Sequence, residues 1–190
     1  MKKLLAVVLV IVAVIGALVI NVMRHGVSAR QQPTMTEAAI ARGMRHFAIP
    51  ASLRNARNPV PLTDAVLAEG RAHWADHCAT CHANDGSGQT EIGVNLYPKA
   101  PDMRQPRTQS LSDGELFAII KNGVRLTGMP AWGDEAGHDD ADTWKLVHFI
   151  RHLPKITPAE IEQMKAMNPM TPAEMKERQA EEDFLGERNH

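Results

Sequence analysis

The chain has 190 residues, a formal net charge of −1, 44% hydrophobic and 4% aromatic residues, and two cysteines. Two cysteines rule out a disulfide-built scaffold. The near-neutral charge, with no basic stripe interleaved with aromatics, argues against nucleic acid as a partner. The charge is unevenly spread: residues 1–63 carry 8 basic side chains against 1 acidic, whereas residues 64–153 carry 8 against 13 and residues 154–190 carry 5 against 8.

The N-terminus is the most apolar part. No charge occurs between Leu4 and Met23, a stretch that as a helix spans the ~30 Å hydrocarbon core of a bilayer. A cleavable signal normally has an apolar run of only about 7–15 residues. We therefore expect residues 1–23 to be an uncleaved transmembrane anchor, with cleavage after Ala29 as the alternative. Lys2 and Lys3 on one side and Arg24, Arg30 and Arg42 on the other nearly balance the positive-inside count.

Residues 24–63 read as a linker with one short helix. Residues 24–35 are polar. Thr36 to Phe47 has helical spacing of Ala38, Ala39, Ile40, Met44 and Phe47, with Thr36 as the expected cap. Pro50, Pro59 and Pro61 predict an extended stretch after it.

Thr63 or Asp64 can cap the next helix, which carries Val66, Leu67, Gly70 and Trp74 on one face and runs into Cys78-Ala79-Thr80-Cys81-His82. This stretch holds both cysteines and follows them at once with histidine, the attachment signature of a c-type haem. Two thiols at this spacing reach two vinyl groups on one porphyrin edge, and the adjoining imidazole is placed as an axial ligand. A dithiol redox pair usually sits at the mouth of a βαβ unit, and no strand-rich pattern precedes the motif. A zinc site lacks its second ligand pair. A disulfide across two residues would close a tight, strained loop.

Residues 83–110 contain Gly86, Gly88, Gly93, Pro98, Pro101 and Pro106 and read as a long functional loop. Ser112-Asp113-Gly114-Glu115 is a capping box opening a helix through Leu116, Phe117, Ile119 and Ile120 that stops at Asn122-Gly123. A last core helix is expected from about Asp142 to before Pro154, with Trp144, Val147, Phe149 and Ile150. Residues 154–190 form a charged extension in which Thr157-Pro158-Ala159-Glu160 and Thr171-Pro172-Ala173-Glu174 each open a short helix.

A sixth iron ligand would decide the chemistry. Met1 and Met23 belong to the anchor and Met164, Met167, Met170 and Met175 to the polar tail; within residues 64–153 the candidates are Met103 and Met129. Met129 is preferred, because Thr127-Gly128-Met129-Pro130 follows a capped helix and holds the thioether in a turn. Bis-histidine ligation through His138, His148 or His152 is the competing arrangement; His148 and His152 are expected at the surface.

The order of Gly70-x3-Trp74-x3-Cys78, the Cys78–His82 motif, Leu96-Tyr97-Pro98-Lys99-Ala100-Pro101-Asp102, Asn122-Gly123, Thr127–Pro130 and the Trp144 helix resembles a monohaem class I cytochrome c. It is the bacterial type also found in cytochrome c subunits of oxidase complexes. The resemblance covers residues 64–153. It implies an all-α fold with terminal helices crossing near Gly70 and Phe149, flanked here by the N-terminal transmembrane helix and the helical C-terminal extension. It implies one covalent haem c on Cys78 and Cys81, with His82 and Met129 as ligands. It also implies a proline carbonyl, of Pro98 or Pro101, accepting the Nδ1 proton of His82. Leu96, Leu116, Phe117, Ile120, Leu126 and Trp132 are expected to keep the pocket dry. His/Met ligation closes the coordination shell and favours one-electron exchange over O₂ or peroxide chemistry. Because such haems are attached outside the cytoplasm, the domain is placed on the periplasmic side of a bacterial inner membrane. Its expected partners are redox proteins, membrane respiratory complex subunits among them. A tethered carrier, a fixed subunit of a respiratory or dehydrogenase complex, and a peroxidase-like enzyme are the readings, in that order.

Overall fold

The computed structural model describes residues 2–25, 28–134 and 136–187. It is all-helical, with no strand among the described residues. The first helix, α1 (Lys2–His25), is apolar on every face and no part of its apolar window is buried. It is long and apolar enough to cross a membrane.

Helix α2 (Met35–Ala48) starts one residue earlier than expected, and its cap is Thr34 rather than Thr36, with the Thr34 hydroxyl accepting from the Glu37 N–H at 3.2 Å. Thr34 has the extended backbone that a capping residue needs, at φ −62° and ψ 158°. The proline-rich stretch beyond is not wholly extended: Pro50 opens a one-turn helix, α3 (Ala51–Arg54). This turn is held by packing, since the Ser112 hydroxyl donates to the Arg54 carbonyl at 2.6 Å and Gly114 lies directly against the Leu53 carbonyl.

Thr63 caps α4 (Asp64–His73), which continues through a π turn (Trp74–Cys78) into α5 (Ala79–His82). A π turn adds a residue to the helical repeat, so the motif is rotated relative to the face that carries Gly70. The Trp74 indole donates to the Ala83 carbonyl at 3.0 Å and ties the helix to the end of the motif. Residues 83–110 are mostly irregular, interrupted by a 3₁₀ turn at Gly93–Asn95 and by α6 (Pro106–Gln109). Both halves of the Ser112/Glu115 capping box form at the start of α7 (Asp113–Asn122). Helix α8 (Asp140–His152) begins two residues before the expected Asp142 and passes into a 3₁₀ turn at Leu153–Lys155.

The core lies where α4, α7 and α8 meet. Phe117 stacks on Trp144 with centroids 4.2 Å apart, and Trp74 packs on Phe149 at 5.7 Å. Helices α4 and α8 cross where the resemblance places the contact. A Cβ at Gly70 would stand 2.5 Å from the Lys145 carbonyl oxygen and 3.3 Å from Phe149 Cβ, so only glycine lets the backbones meet. The charged extension is less separate than its composition implies. Helix α9 (Pro158–Lys165), opened by the Thr157/Glu160 capping box, sends Met164 into the core with no exposed surface. Helix α10 (Pro172–Glu187) keeps its described side chains in solvent.

Candidate functional site

A cleft of about 310 Å³ opens between α5, the 96–108 segment and the turn after α7, a size usual for cofactor sites. Cys78, Cys81, His82 and Met129, singled out from the sequence, all line it, as does Met103.

The thiols are unpaired. Burial, then the neighbouring Cys81, pushes the Cys78 thiol up to about 12, and burial raises Cys81 as well. Neither is the low-pKa thiolate that dithiol chemistry uses. The His82 ring is 8% exposed, and burial lowers its pKa to about 4, opposed by the Pro101 carbonyl. It is therefore neutral at pH 7, with a lone pair free to bind a metal. His82 Nδ1 is buried with no hydrogen-bond partner among the described residues. Between Pro98 and Pro101, it is the Pro101 carbonyl that acts on His82.

Met129 is held by a closed turn. Its N–H donates to the Thr127 hydroxyl at 3.1 Å, its carbonyl accepts from the Val124 N–H at 3.0 Å, and the Thr127 hydroxyl donates to the Val124 carbonyl at 2.8 Å. Gly123 enters this turn at φ 64°, with a Cβ position 2.5 Å from the Pro130 carbonyl carbon. Met103 differs in that it packs against the hydrophobic core, which Met129 does not.

The competing histidines lie elsewhere. His138 bonds Asp134, His148 bonds the Val60 carbonyl at 2.7 Å, and His152 bonds Glu160 at 2.8 Å. His148 and His152 are half-buried rather than on the surface. Of the apolar residues expected around the cofactor, Leu96, Leu116, Ile120 and Trp132 line the cleft. Phe117 and Leu126 do not. Phe117 points from α7 into the core against Trp144, and Leu126 sits at φ 61° in the exposed turn, 93% accessible.

The sequence reading missed several cleft residues. His77, edge-on to Trp132 with centroids 5.2 Å apart, precedes the motif. Ala38 and Arg45 reach the cleft from α2, and Arg107 and the buried Thr108 from α6. The seven-residue spacing of Ala38 and Arg45 puts them on one helical face, but only the fold shows what that face covers. Arg45 and Arg107 form no ion pair among the described residues. Burial first, then the Arg107 charge, lowers the Arg45 pKa.

These features fit a haem c. Two protonated thiols and a neutral imidazole line the same cleft as the thioether of a residue held in a closed turn, the lining is largely apolar, and guanidinium groups without an ion pair at the cleft match carboxylates of the cofactor.

Residues 65–150 match the family model described as cytochrome C oxidase, cbb3-type, subunit III. No curated protein matches the chain. The match fits electron transfer rather than catalysis and covers the cleft wall from α5 to α7, with α2 outside it. Residues 65–150 are thus a class I c-type cytochrome domain, which implies haem c as the cofactor.

Proposed function

We propose that the protein transfers single electrons through one haem c joined covalently to Cys78 and Cys81. The observation that carries this reading is the shared cleft, in which both thiols, the neutral His82 imidazole and the turn-held Met129 thioether face one apolar space. Bound there, haem c supplies an iron that exchanges one electron. His82 and Met129 would hold that iron through the imidazole and the thioether, and a fully ligated iron would favour one-electron exchange over binding a substrate. The Met129 thioether favours the reduced state. Leu96, Leu116, Ile120 and Trp132 exclude water, while Arg45 and Arg107 balance the cofactor's carboxylates.

In this reading residues 1–23 anchor the chain in the inner membrane, with the haem domain, residues 64–153, on the periplasmic side. Residues 24–63 link the two, and residues 154–190 form the helical extension. The electron-transfer partners are membrane respiratory proteins. A second reading, a fixed subunit of a respiratory complex, is favoured by the oxidase-subunit description of the matching family.

Intact-mass measurement of the chain matured in cells with c-type haem attachment machinery tests the proposal. The expected mass is that of the chain plus one haem, lost in the Cys78→Ala, Cys81→Ala double variant. An unmodified mass in the native chain would overturn it. A chain that elutes alone from detergent-solubilised membranes supports the carrier, and a stable larger assembly supports the subunit.

A further inference from the structure

Helix α2 has two faces with different fates. Ala38 and Arg45 turn to the cleft, and Ile49, which ends the helix, is buried. On the opposite side Ile40, Met44 and Phe47, spaced by four and three residues, form one stripe. They are 64%, 68% and 86% exposed. The surface beside them is open, with nothing within 4 Å of a Cβ at Gly43. An apolar stripe normally faces its own domain; here it faces away, and no other part of the described chain covers it.

Two observations identify what does. Residues 26–34 join α2 to the apolar α1, and a segment of that length reaches at most roughly 30 Å. Where α1 spans a bilayer, α2 therefore stays close to its surface. The segment 24–57 also carries Arg24, Arg30, Arg42, Arg45, Arg54 and Arg57 against the single acid Glu37, a balance complementary to anionic headgroups.

We propose that α2 is a membrane-interface helix that lays Ile40, Met44 and Phe47 into the boundary of a bilayer containing anionic phospholipid. A helix of this kind sinks its apolar face about 5–10 Å below the headgroups. Because its other face lines the cleft, the same helix fixes which edge of the cytochrome domain looks towards the membrane. The inference rests on the reading of α1 as an anchor.

Site-directed spin labelling of the full haem-loaded chain in nanodiscs of mixed neutral and anionic phospholipid tests it. Labels are placed singly through Ile40→Cys, Met44→Cys and Phe47→Cys, with Glu162→Cys, an exposed position on α9, as control. These sites are all exposed, so labelling leaves the core intact. The expected result is higher collision frequency with oxygen than with a water-soluble nickel complex at 40, 44 and 47, and the reverse at 162. The aqueous pattern at all four sites in an inserted chain would overturn the inference and leave the anchor standing. Immobilised labels shielded from both reagents would overturn it in favour of a protein partner. A chain that fails to insert would overturn both the anchor and the inference.

Discussion

The helices flanking the cytochrome domain are tied to it by matching polar contacts and by very different apolar ones. Helix α2 reaches α7 through His46 and Glu115 at 3.0 Å, and α9 reaches α8 through Glu160 and His152 at 2.8 Å. In both ties the glutamate is also the carboxylate of a capping box. The difference is hydrophobic: α9 buries Met164 completely, whereas α2 leaves Ile40, Met44 and Phe47 in solvent and relies on Ile49. One helix has become part of the core, and the other is held by polar contacts with its apolar face kept for something else.

The largest expected break in this comparison is Met164→Ala. Emptying a fully buried methionine site costs about 2–5 kcal/mol, read as a lower denaturant midpoint, and it should release α9. An unchanged midpoint would show that α9 merely rests on the surface.

Acid should separate the two helices next. Burial tends to raise the Glu115 carboxyl, but the Ser112 N–H and His46 outweigh it and hold the pKa below the usual value. For Glu160, burial is likewise outweighed by the Thr157 backbone and hydroxyl and by His152. Each contribution is complete above about pH 4.3, the ordinary glutamate value, and is lost as the pH falls through the lower folded value. Hydrogen exchange at falling pH should show α2 opening before α9, because α9 keeps a fully buried anchor in Met164 whereas α2 has only Ile49 at its end. Simultaneous opening would contradict the distinction.

Smaller effects follow on the cleft side and the free side of α2. Arg45→Gln removes a cation from the cleft and should lower the reduction potential, by on the order of 1 kcal/mol in the redox equilibrium, while Arg45→Lys should largely restore it. Met44→Ala, on the exposed stripe, should change stability in detergent by no more than about 0.5 kcal/mol.

The legible parts of the chain were those fixed by local chemistry. The Cys78–His82 motif and the capping boxes at Ser112 and Thr157 follow from residue types a few positions apart, whereas the Gly70 crossing of α4 and α8 was legible only through the family resemblance. The parts that escaped depend on distant neighbours. Met164 sits among charges, and only the docking of α9 buries it. The turn at Ala51–Arg54 exists because the start of α7 receives it. Arg45 lines the cleft although some thirty residues separate it from the motif, and Leu126 was drawn into the expected pocket by its apolarity when its backbone turns it outward.

The central claim is that His82 and Met129 close the two sides of one coordination shell. The visible spectrum of the purified, oxidised full-length chain tests it most directly. The account predicts the weak near-red sulfur-to-iron band, lost in Met129→Ala and retained in Met103→Leu. A high-spin spectrum in the native chain, or loss of the band in Met103→Leu instead, would contradict it.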